Sequence, residues 1–181
     1  MRKPDWRLWL KDKKECKAWL DIYERKSMLR KSADESNLHI RKTEHNLNLA
    51  NWVFEKHNDE IPEIFAKETF YDWVISMYYY AVYHAALALI SREGFKSTSH
   101  SATLCFLIYH HYHMQKSIDE GDITLIARSL EKEYIETIGI SKELRERASY
   151  NVHELFEKAL AMHTREEAVT FVNKIKEMLS L

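Results

Sequence analysis

Glycine and proline are scarce in this chain: three and two in 181 residues. Few residues can interrupt a helix, so long helices are expected. No stretch alternates apolar and polar residues with period two, which argues against a sheet protein. Cysteine is too rare for a disulfide framework. Cys16 and Cys105 form no spaced pair and read as reduced thiols in a cytoplasmic protein. The start, MRKPDWRLWLKDKK, has no continuous apolar region of the secretory kind. A large net charge is missing too, since the total is −1.

The balance hides a segregation. Residues 1–31 carry eleven Lys/Arg against five Asp/Glu, about +6, and the remainder carries sixteen against twenty-three, about −7. A basic arm of this kind suits a phosphate backbone or the acidic face of a partner.

Charge is rarest between Phe70 and Ile90, FYDWVISMYYYAVYHAALALI, where Asp72 is the one formal charge in twenty-one residues. A helix this apolar either crosses a membrane or forms the centre of a bundle with neighbours on every side. Tyr71, Tyr78, Tyr79, Tyr80 and Tyr83 carry hydroxyls that want partners, and Asp72, Ser76 and His84 add polar groups that are costly in lipid. The bundle reading is preferred, and no membrane partner is expected.

Tyr79, Tyr80 and Ala81 lead through small apolar residues to a turn at Gly94. A Lys-x-x-x-His-like segment follows, Lys96 to His100. Beyond it come an aromatic helix, an acidic linker and the Arg-rich start ELRERASYNVHE. Over roughly residues 35–181 this order resembles the HEPN-domain family (higher eukaryotes and prokaryotes nucleotide-binding). The resemblance implies an all-α fold: an up-and-down bundle of about five helices, here over residues 34–181. Residues 1–33 would form an N-terminal basic amphipathic extension.

The resemblance also implies chemistry. HEPN ribonucleases carry an Arg and a His separated by four to six residues, acting without metal at a two-fold dimer interface. Arg147 and His153 have five residues between them and are the catalytic candidates. Attack by a 2′-OH needs a general acid or base near neutrality, which His supplies. The phosphorane needs a fixed cation, which the planar fork of Arg supplies. Six residues along a straight helix turn about 240°, so one subunit alone would point the pair about 120° apart. Two departures leave a second register open. Ala148 follows Arg147 where the catalytic motif usually has a polar residue. From Arg145 the segment also resembles the R-x-x-A-D-Y signature of a HEPN subgroup without an established ribonuclease motif, with Ser149 in place of the Asp.

In that register Arg145 and Tyr150 are the nucleotide-binding candidates, with Asn151 beside them. Lys96 and His100 lie in a segment read first as a structural turn and are phosphate-contact candidates because a helix N-terminus binds anions. The resemblance thus implies RNA or a nucleotide as ligand, a homodimer, and a nucleotidyltransferase antitoxin as a further partner. The main reading is a metal-independent endoribonuclease of toxin–antitoxin or defence type, and the alternative is a non-catalytic binding module. Whether the chain is an enzyme stays open here, and no cofactor is implied.

Elsewhere the readings are structural. Trp6, Trp9, Leu10, Cys16, Trp19, Leu20 and Tyr23 recur at helical steps, with Pro4 and Asp5 at the start. They read as a packing stripe with a solvated Lys face, rather than as Trp platforms for bases. A helix is expected from Asp34 to His57, with Leu38, Leu47, Ala50, Val53 and Phe54 inward, broken by HNDEIPE and its Pro62. Hydroxyls among Ser97, Thr98, Ser99 and Ser101 are candidates to cap a helix from His100 to about Lys116. In that helix His110, His111 and His113 invite a zinc reading, but His111 points away from the other two and no metal site is assigned. Gly121 and Asp122 mark a turn and a cap before a helix from Ile123 to Ile138. Two helices are expected at the end, one from near Ser141 to Met162 and one from Arg165 to Leu179, the second boxed by Thr164 and Glu167.

Overall fold

The computed structural model describes residues 3–66, 68–130 and 150–180, the side chains of 150–156 excepted. Its centre is α5 (Tyr71–Arg92), the apolar run. It packs against α3 (Ser36–Lys56), α6 (His100–Leu107), α7 (Glu120–Leu130) and α8 (Tyr150–Met178). By length and composition α5 alone among the described residues resembles a membrane span, yet two thirds of its apolar window is buried by these neighbours. Four alanines on it, Ala81, Ala85, Ala86 and Ala88, are wholly buried, so neighbouring helices approach its backbone closely. The fold is an all-α helical bundle. The cover is incomplete at two points: Trp73 and Tyr80 remain exposed.

The N-terminal stripe packs as read, but on two helices. Asp5 caps α1 (Trp6–Lys11) by accepting from the N–H groups of Arg7 and Leu8. Asp12 is extended and caps α2 (Lys13–Arg25) in the same way. Asp side chains favour this use, because their oxygens satisfy N–H groups that a helix start leaves free. Trp9, Cys16, Trp19, Leu20 and Tyr23 are buried, and both helices touch α6 and its continuation. The Trp9 and Trp19 rings are therefore unavailable to stack on bases.

The two Cys meet at that seam. Their Sγ atoms lie 3.9 Å apart, both side chains are buried, and burial pushes the Cys105 thiol up. A buried, protonated thiol is inert. Both are expected to ignore a disulfide reagent such as DTNB in the native protein and to react once urea unfolds it. A fast native thiol would contradict this packing.

Other boundaries depart from the sequence reading for identifiable reasons. Leu38, expected inward, is 48% exposed, because α3 turns Ile40 and Thr43 to the core instead. Pro62 does sit in a helix, α4 (Glu60–Phe65), but in its first turn, where no N–H is needed. The helix expected from Ile123 starts earlier, at Glu120. Asp119 and Asp122 accept each other's backbone N–H there, at 3.0 and 2.9 Å, and Gly121 falls within the first turn. The two helices expected at the end are one, α8. Thr164 lies inside it and donates to Leu160 O at 2.8 Å, so it does not cap a new start. A short antiparallel ladder, β1 (Leu29–Lys31) with β2 (Phe95–Ser97), escaped the sequence reading. Gly94, at φ +75°, turns α5 into β2 as a helix-stop glycine should.

Candidate functional site

A groove of about 590 Å³ opens between α3, α5 and β2. The joint that shapes it is Thr43. Its Oγ1 lies 3.0 Å from His39 O and 3.3 Å from Ala81 O, pinning α3 to α5. One turn on each helix from that joint, His39 and His84 meet. Their Nδ1 atoms are 3.4 Å apart and their rings stack at 5.7 Å. Lys42 shares the His39 face one turn on, as i,i+3 neighbours do. Arg41, Lys42 and Lys96 line the groove, with Glu35 as its one carboxylate among the described residues.

With neutral imidazoles, three cations against one acid leave the groove at about +2. None of the three cations is paired with a carboxylate among the described residues. The ladder adds to the field, because Arg30 stands opposite Lys96 across it. Like charges so placed repel, and a bound anion would relieve them. His84 is held down at about 4, by burial first and then by His39 and Lys42. His39 is also held below its ordinary value, by burial and by Lys42 and Lys96, against the pull of Glu35.

Of the residues singled out in the sequence, Lys96 lines the groove. His100 is exposed and stands one ring away, edge-on to Tyr83 at 5.5 Å, with Nδ1 3.2 Å from Leu130 O. The hydroxyls before α6 do not cap it. Ser99 is the cap residue without a side-chain bond, and Ser97 Oγ donates to Ser99 O. Arg145 and Arg147 lie outside the described residues, as does most of ELRERASYNVHE before Tyr150. Tyr150, Asn151 and His153 fall in the first turns of α8, and their backbone course alone is described. The structure therefore brings Lys96 beside His39, Lys42 and His84, residues the sequence reading had not joined to it. The local signal was present in HIRK, a His one turn before a Lys on a mostly polar helix. Its partner lay 45 residues away.

The three His of the aromatic helix go separate ways. The helix widens to π winding over Ile108–Gln115. His110 stacks on Phe106 at 4.3 Å, His113 Nε2 reaches Trp9 O at 2.8 Å, and His111 turns inward to Ser117 Oγ at 3.0 Å. His111 is 2% exposed, and burial holds it at about 4. Its unfolded value is near 6.5. The folded state thus keeps His111 neutral while the unfolded chain takes a proton. The stability this gives is fully present above about pH 6.5 and is lost as the pH falls toward 4. His84 acts in the same direction. The melting temperature is expected to fall steeply between pH 6.5 and 4.5, with His111 contributing at most on the order of 3 kcal/mol. A flat profile across that window would contradict a buried neutral His111.

Comparison with known proteins gives one match. The HEPN domain model matches residues 37–181, most of the chain. No curated protein and no solved structure matches it. The matched span covers α3 through α8 and both sides of the groove. The chain belongs to the HEPN-domain family, a nucleotide- and RNA-related class of helical module.

Proposed function

We propose that the chain binds RNA or a nucleotide through phosphate held in the groove between α3, α5 and β2. The observation that carries this reading is the convergence of Arg41, Lys42 and Lys96, all without a carboxylate partner among the described residues, on the His39–His84 pair. A phosphate oxygen accepts from Lys and Arg with charge-assisted hydrogen bonds, the strong kind. Sugar and base can lie along Leu87 and Tyr83, which supply apolar and aromatic surface in the same cavity. Three cationic contacts to single-stranded RNA give a slope of roughly −2 in log K against log salt. Titration of labelled oligo-RNA at several salt concentrations reads this directly. Salt-insensitive binding, or none at low salt, would remove the groove from the interface.

A second reading keeps the ribonuclease, because Arg147 and His153 have the spacing that the resemblance implies and His153 lies in the first turn of α8. In this reading a homodimer brings two such motifs to one phosphate, His153 moves the proton, and Arg147 holds the phosphorane. Incubating RNA with the protein in EDTA, beside a His153→Ala variant, separates the two readings. Cleavage by the wild type alone supports the enzyme. Binding without cleavage supports a non-catalytic module, in which Arg145, Tyr150 and Asn151 outweigh His153 and a nucleotidyltransferase is the natural partner to seek.

A further inference from the structure

We infer that the groove selects a terminal phosphate monoester, on a free nucleotide or at an RNA end, over the internal diesters of a chain. This rests on the phosphate-binding reading above and narrows its ligand.

The His pair carries the choice. With Nδ1 atoms 3.4 Å apart, one imidazole can donate to the other only while at least one of them is unprotonated. Two imidazoliums so close repel, and each sits among cations: Lys42 and Arg41 on α3, and Lys96 on β2. Glu35 on α3 is the one counter-charge lining the groove, and His100 and Tyr83 stand beyond the rings. A groove at about +2 with two further imidazole sites is overbuilt for a diester, which brings one negative charge per phosphate. A monoester brings up to two charges and three free oxygens. It can accept from Lys42, Lys96 and an imidazole at once, where a diester offers two free oxygens. Ser97 and Ser32 hydroxyls lie along the same wall.

The test compares 5′-AMP with 3′,5′-cyclic AMP by calorimetry at pH 7. The two share base and sugar and differ in being a monoester or a diester. AMP is expected to bind on the order of 10-fold tighter. That ratio should drop toward 1 in a His39→Gln, His84→Gln variant. Should the double variant not fold, the wild-type ratio decides by itself. Equal affinity for AMP and cyclic AMP would overturn the selectivity and leave phosphate binding standing. Binding of neither, together with no binding of oligo-RNA, would overturn both. A 5′-phosphorylated oligo-RNA against its 5′-hydroxyl twin separates the sources. Tighter binding of the phosphorylated oligomer points to an RNA end, and AMP binding alone to a free nucleotide.

Discussion

Replacing Lys42 and Lys96 together by Glu is expected to weaken RNA binding at least about 100-fold, since two charge-assisted contacts at roughly 1.5 kcal/mol each amount to that ratio. The change also turns the groove from about +2 to about −2, so repulsion adds to the loss. Both side chains are exposed and neither holds an ion pair in the described structure, so the fold should be untouched. Exposed substitutions of this kind usually stay within about 0.5 kcal/mol of the parent in stability. The control is charge reversal on the N-terminal face, Lys13→Glu with Lys14→Glu. These residues are exposed on α2 and do not line the groove. Loss of binding in the control but not in the groove variant would move the interface to the arm.

The largest effect on stability is expected at Trp9. Its ring is 1% exposed and lies 5.9 Å from Trp19 and 6.2 Å from Tyr23, edge-on to the latter. Its carbonyl is the partner of His113 Nε2. Trp9→Ala removes the centre of the seam between α1, α2 and the bundle and should cost about 3–5 kcal/mol in denaturant unfolding. Trp9→Phe should cost much less. Trp9 Nε1 is buried without a hydrogen-bond partner among the described residues, so the indole N–H returns little of its burial cost. If the first helices were an arm that merely rests on the bundle, Trp9→Ala would cost under about 1 kcal/mol, as surface changes do.

The parts of the fold that sequence makes legible are those that local chemistry decides. α5 follows from an apolar run with hydroxyls to satisfy, and Tyr78 does find Asn51 Oδ1 at 2.8 Å. The N-terminal stripe and the glycine stop at Gly94 are equally local. What sequence hides is decided across distance. β1 and β2 have three residues each, too few to alternate visibly, and they pair across the whole of α3, α4 and α5. Thr164 has the spacing of a cap, but its hydroxyl donates backward within a continuous α8. Leu38 is apolar and exposed because the face of α3 is set by contact with α5. The site divides in the same way. Lys96 stands out within a local motif. His39 and His84 become a pair only when Thr43 pins α3 to α5, and no spacing along the chain encodes that meeting.

Imidazole nitrogen resonances would test phosphate binding in the groove most directly. In uniformly ¹⁵N-labelled protein, titration with 5′-AMP is expected to move the ring nitrogens of His39 and His84 together and saturably. Those of His111 and His113, committed to Ser117 and the Trp9 carbonyl, should stay in place. Saturable binding with His39 and His84 unmoved, the shifts falling on other histidines, would contradict the site.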